Sequence, residues 1–418
     1  MARPAALATR PTPGSGPAGD TRPTAGTGPT AGGATDRPTP TGRLAGLDLA
    51  RGLAVFGMLA AHVGPDPSQG GVTGFLMELT HGRSSALFAL LAGFGVVLVT
   101  GRTPKTGRAG RQAVAKVVVR AVVLLALGTA LTMSGTEVEV ILAFYGLYFL
   151  LALPLYRLGA RPLAVTAAGT ALVMPQLLYL GQPMIDGDWP TGPDGPDGLV
   201  WLLFAGTYPA VTWIPFVLAG MAVARLDLAS TVIRTRLALA GVTLATAGYG
   251  GSWLALRLVP GAARAIAESG SGSGSGWATG ASSSSAWWSD TAGYPTGDTP
   301  AWLLAASPHS ETTLSIVANT GVAITVLMAC LAADAFPRAR RLAAPAVAVG
   351  SMSLTAYVVH IAGIGLLGIE ELPGSPLPVL VGFVASAAVL ATTWSRCFRR
   401  GPLEWLVHAT TRVTRLVP

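Results

Sequence analysis

Charge is scarce in this 418-residue chain. Only 11% of residues are charged, against roughly 25% in ordinary soluble domains, and so little charge cannot coat a soluble globule of this size. Lysine is nearly absent, Lys105 and Lys116 only, so arginine carries the positive charge. Cysteine is limited to Cys330 and Cys397, with no CxxC and no Cys/His ligand spacing. A disulfide framework and a structural metal are therefore not expected. Residues 1–40 lack aromatic and β-branched aliphatic content, which predicts a disordered tail, and they lack the apolar h-region of a signal peptide.

What the chain does have is long apolar runs, 51% of residues being hydrophobic. Runs fall near 44–64, 84–100, 117–134, 138–156, 162–181, 198–224, 237–259, 311–332, 343–369 and 376–395. Most have the roughly 17–25 residues that a spanning helix needs. The expected class is an all-α, polytopic integral membrane protein with about ten transmembrane helices across 41–395.

The loops supply an orientation. With the amino terminus inside, every one of the 28 basic residues except Arg83, Arg257 and Arg264 falls on the cytoplasmic side. A miscounted helix would invert every later loop, so the positive-inside rule favours this count, both termini cytoplasmic, and a multi-pass protein of the cell membrane. The formal net charge of +8 is read the same way, as orientation information, and no nucleic acid partner is expected. Residues 260–310, with SGSGSG and SSSS, read as a flexible outer loop. Trp287, Trp288 and Tyr294 are placed at the interface. Residues 396–418 read as a cytoplasmic amphipathic tail.

Ionisable groups inside spanning helices are costly and need a reason. The first run holds Asp48, Arg51 and His62. Arg51 and His62 are eleven positions apart, about 20° from eclipsed and about 16 Å along the axis. They share one face, with Arg51 near the inner end and His62 near the outer end, and Asp48 lies one turn from Arg51. The ordinary reading is an arginine that snorkels inward with Asp48 as counter-ion, and an interfacial histidine. The functional reading is a polar face with a base at its outer mouth. Arg83 opens the second run on the outer side, where it is expected to pair with something acidic, unless it is a plain surface arginine. Ser353, Tyr357 and His360 share a face of the ninth run. A self-satisfied Tyr357–His360 pair is as compatible with this spacing as a substrate-facing one. His309, in the outer loop, and His408, in the inner tail, are read as bystanders. The small residues of ALLAGFG suit close helix packing.

These residues carry a resemblance. RLAGLDLARGLAVFGMLAAHVGP followed by HGRSSALFALLAGFG resembles the amino-terminal part of the heparan-alpha-glucosaminide N-acetyltransferase catalytic family, through the D-x-x-R-G core at Asp48–Gly52. VGSMSLTAYVVHI and GPLEWL resemble the carboxyl-terminal domain of YeiB-like bacterial membrane proteins. The Arg51-x10-His62 spacing matches a signature of the acyltransferase-three family. The middle helices share hydropathy only.

The resemblance implies a membrane acyltransferase. It would move an acyl group, usually acetyl, from cytosolic acyl-CoA to a hydroxyl or amine of an extracytoplasmic glycan. Asp48 and Arg51 would bind the donor. His62 would act as base or acyl carrier, and Arg83, Tyr357 and His360 would complete the catalytic set. The implied partners are the bilayer, acyl-CoA and the glycan acceptor; a homodimer is compatible, and no metal is implied. A transporter of a small polar envelope metabolite is the alternative, and would show broken helices in matching positions of two halves. Pro209 and Pro215 interrupt the sixth run, with no matching partner evident in the sequence. A non-catalytic scaffold or sensor is the third reading.

Overall fold

A computed structural model describes residues 45–188, 198–270, 285–289, 299–369 and 372–417. Among the described residues there is no strand. The helices are α1 Ala45–Val63, α2 Gly71–Glu78, α3 Arg83–Thr100, α4 Gly107–Thr132, α5 Leu142–Ala152, α6 Ala160–Asp188, α7 Gly198–Val200 and α8 Ala210–Arg225. They continue with α9 Thr231–Leu258, α10 Ala262–Gly270, α11 Thr313–Ala333, α12 Pro337–Ser351, α13 Ser353–Leu367, α14 Leu377–Cys397 and α15 Pro402–Thr410.

Each of the ten apolar runs is helical, yet ten spans are not reached. Six described helices are long and apolar enough to cross a membrane, or eight if each of two bent pairs is one span. The fourth run yields only a short apolar helix, Leu142–Leu155. The seventh yields α9, which at 28 residues is long enough, but its threonines, glycines and arginines dilute its apolar content. One bent pair, Gly198–Ala205 with Ala210–Arg225, turns by 68° at the Pro209 break. The other was read as one helix over 343–369. It turns by 79° between α12 and α13, at Met352. Residues 1–44, with the tail at 1–40, residues 189–197, the Gly/Ser stretch at 271–284 and residues 290–298, with Tyr294, lie outside the described residues.

Burial explains why this is a membrane fold. Leu59, Leu90, Phe144, Tyr148, Leu218 and Ile316 form part of one apolar core. Yet α4 and α14, among the most apolar helices, bury little and turn Val122, Val381 and Val389 outward. An apolar exterior of that extent is stable in hydrocarbon, where helices satisfy their own backbone groups.

The inner helices pack through small residues. α3 runs along α8, α9 along α11 and α1 along α12. A Cβ added to Gly93 would overlap the Val217 carbonyl, and one added to Gly220 would overlap that of Leu90, so the ALLAGFG segment does make a close backbone crossing. At Gly350 in α12, an added Cβ would overlap the Asp48 carbonyl oxygen of α1. Gly350→Ala is therefore expected to destabilise by about 1–3 kcal/mol despite the better helix propensity of alanine. The check is the unfolding midpoint of the purified protein in detergent; a midpoint at or above wild type would contradict this crossing.

Candidate active site

The break between α12 and α13 frees backbone N–H groups in the interior, and a distant carboxylate takes them. Glu404 of α15 accepts from the Leu354 N–H at 2.8 Å, the Thr355 N–H at 3.2 Å and the Thr355 hydroxyl at 2.6 Å. The Leu403 N–H donates back to Thr355 Oγ1 at 3.1 Å. The GPLEWL tail is thus the cap of a broken span, as half-helices in membranes require.

Beside this cap lies a cavity of about 380 Å³. Arg51, Arg120 and Arg400 line it together with Glu404 and His408, and Phe88, Leu91, Tyr145 and Phe149 form an apolar wall. The Arg51 and Arg400 guanidiniums are each within electrostatic range of Arg120. Asp48, buried in α1, accepts from Arg51 Nη1 at 3.2 Å and holds it at the rim. Partial burial, then Arg400, Arg412, Arg120 and Arg415, push the His408 imidazole below its ordinary value. Excess positive potential with an apolar wall suits a ligand that is anionic at one end and apolar at the other.

Further along the same helices sits an imidazole pair. His62 Nδ1 and His360 Nε2 are 3.0 Å apart and share one hydrogen bond. The rings are stacked, with centroids 5.2 Å apart and 17° between planes. Tyr357 meets the His360 ring edge-on at 5.1 Å, and its hydroxyl oxygen accepts from the Ile141 N–H at 3.2 Å. Ile141 adjoins Leu142, which lines the arginine cavity. Arg51 faces Ser353 and Leu354 at the start of α13, and His62 faces His360 within it. The two polar groups of α1 therefore both look toward α13, at different depths.

Arg83 is placed differently from expectation. It is buried, and its partners are carbonyl oxygens and a phenol rather than a carboxylate. Nη1 donates to the Glu78 carbonyl at 2.6 Å and the His81 carbonyl at 3.4 Å, Nη2 to the Trp288 carbonyl, and Nε to the Tyr249 hydroxyl at 2.9 Å. A guanidinium has five N–H donors and four hydrogen bonds are made here, so it ties three segments together. Trp288, placed at the interface from its sequence, is one of those segments.

His309, read as a bystander, stands near the pair. Its ring meets Tyr208 at 5.5 Å and Trp213 at 6.2 Å, and both His309 and His81 are within electrostatic range of His62. Of the chain's five histidines, only His408 lies elsewhere. Among the described residues no group of three or more His, Cys, Asp or Glu side chains is placed to hold a metal ion.

Sequence reading missed Arg120, Arg400, Glu404, Tyr145 and His309. Arg120 had a signal, a cation inside an apolar run. The others are polar residues in a tail, a loop or an apolar helix, and only folding brings them together.

Residues 43–248 match the family described as heparan-alpha-glucosaminide N-acetyltransferase, catalytic, a span that takes in the middle helices as well as the amino-terminal motifs. Residues 286–414 match a family described as protein of unknown function (DUF418). No curated protein matches the chain. The first segment contributes Arg51, His62 and Arg120, and the second His360, Arg400 and Glu404, so both sites are built across the two. The chain is a multi-pass helical membrane protein whose amino-terminal half is similar to the heparan-alpha-glucosaminide N-acetyltransferase catalytic family and whose carboxyl-terminal part is similar to the DUF418 family.

Proposed function

We propose that the protein is a transmembrane acyltransferase that takes its acyl group from acyl-CoA, acetyl being the expected group, and delivers it to a hydroxyl or amine of a glycan. One observation carries this reading: an arginine cavity and an imidazole pair are stationed at two depths along α1 and α13. Arg51, Arg120 and Arg400 would hold the donor's phosphates on the cytoplasmic side, since guanidinium donors match phosphate oxygens. The apolar wall toward Tyr145 would take the pantetheine arm. The thioester would then approach His62 and His360, where the acceptor waits on the extracytoplasmic side.

In the transfer, the acceptor oxygen or nitrogen attacks the thioester carbonyl carbon and gives its proton to the imidazole pair. The carbon–sulfur bond breaks and the proton passes to the departing thiolate, so the pair ends as it began. Tyr357, whose oxygen is occupied as an acceptor, keeps its own hydrogen to donate to the carbonyl oxygen as charge develops there. Arg83 is the positioning residue that ties the outer segments to α3. A cell-membrane location with both termini inside is consistent with the arginine distribution.

The direct test uses full-length protein in detergent, acetyl-labelled acetyl-CoA and a panel of hexose and hexosamine acceptors. Label on an acceptor or on the protein supports the reading, and no label on either sinks it. The second reading, a transporter, draws on the two broken spans. Substrate flux into vesicles without acyl-CoA would favour it.

A further inference from the structure

We propose that the segment Ser307–Glu311 is a third wall of the acyl-transfer site, with His309 a catalytic imidazole set beside the His62–His360 pair and Glu311 the positioning residue that fixes it. The assignment rests on the acyltransferase reading above.

The segment is strained and held. His309 and Glu311, at φ 57° and 55°, are the only non-glycine residues with positive φ among the described residues. Each such conformation costs of the order of 1–3 kcal/mol and persists only where the surroundings over-determine it. Here they do. The Glu311 carboxylate is buried and accepts from Thr212 Oγ1 at 2.7 Å and from the Trp213 indole Nε1 at 2.7 Å. Thr312 donates its hydroxyl to the Ala305 carbonyl at 2.5 Å and caps α11 through the Ser315 N–H at 3.1 Å. On the other side, Gly82 presses against Pro308, where an added Cβ would lie 2.8 Å from Pro308 Cβ.

The result of this anchoring is a single presented side chain. Ser307, Pro308, Ser310, Glu311 and Thr312 are buried, and His309 alone among them is half-exposed.

A third imidazole divides the proton work. His62 and His360 share one hydrogen bond between facing nitrogens, so a proton arriving on the pair disturbs both rings. His309 takes the proton from the acceptor as the new bond to the acyl carbon forms. That proton passes to the His62–His360 pair, which delivers it to the sulfur as the carbon–sulfur bond breaks, and the net movement is one proton from acceptor to thiolate.

The experiment compares wild type, His309→Gln, His309→Ala and Glu311→Gln, each full length in detergent with labelled acetyl-CoA and the acceptor that wild type uses. His309→Gln is expected to lower kcat about 100-fold, within the usual range for a proton-transfer group. KM for acetyl-CoA should stay near wild type, because the arginine cavity is untouched. Glu311→Gln should lower kcat less, since the amide oxygen keeps one of the two hydrogen bonds. Free imidazole should restore His309→Ala by about tenfold, as expected of a missing proton carrier rather than a missing brace. A kcat for His309→Gln close to wild type, or a loss in His309→Ala that imidazole does not restore, overturns the assignment. Wild type that transfers no label removes the acyltransferase reading itself, a separate and recognisable failure.

Discussion

Replacing His62 by alanine is expected to cut acyl transfer by about 10²–10⁴-fold, the range set by removing a general acid–base group, while the protein still accumulates in the membrane. The side chain is half-buried and makes one hydrogen bond, to His360. Its loss should cost only about 1 kcal/mol of stability, the usual net value of such a bond. The pair acts as a unit, so His360→Ala should fall to a similar rate. The double variant should be little worse than either single one, as residues acting together are strongly non-additive. The measurement is the initial rate of label transfer from acetyl-CoA, normalised to folded protein. A His62→Ala rate equal to wild type would remove the imidazole pair from the chemistry.

The second large effect belongs to the donor end. Arg120→Gln and Arg400→Gln are each expected to raise KM for acetyl-CoA by about 10–100-fold, since a hydrogen bond to a charged group contributes about 1.5–3 kcal/mol. Because the same contact holds ground state and transition state alike, kcat should change little. Arg51 is a less clean probe, as its loss also leaves buried Asp48 without that partner. Salt should weaken donor binding in wild type more than in either variant, through screening of one fewer cation. Unchanged KM in both variants would show that the cavity holds something else or nothing anionic.

Much of this was open to reading in the chain, for definite reasons. Apolar runs of spanning length mark helices because backbone groups in lipid must be satisfied within the segment. Asp48, Arg51, His62 and His360 stood out because charge and imidazole inside such runs are costly. The break at Met352 did not stand out, because no proline marks it; Pro345 lies half a helix earlier. The bend is held open by Glu404, some fifty positions away, and no local pattern encodes such a cap. Arg83 shows the limit from the other side. Its outer location was read as a demand for an acidic partner, whereas three carbonyls and a phenol serve as well.

The sequence by itself determined the class, a multi-pass helical membrane protein, and the D-x-x-R-G motif that carries the family resemblance, because hydropathy and helical periodicity are local properties of the chain. Only the tertiary structure decided which polar residues meet. His62 and His360 lie 298 positions apart, and the three cavity arginines come from α1, α4 and the segment before α15. Their meeting depends on glycine-sized crossings such as Gly350 against Asp48 and on a carboxylate that caps a distant broken helix. Those are conditions on packed neighbours, and a linear pattern of residues does not specify them.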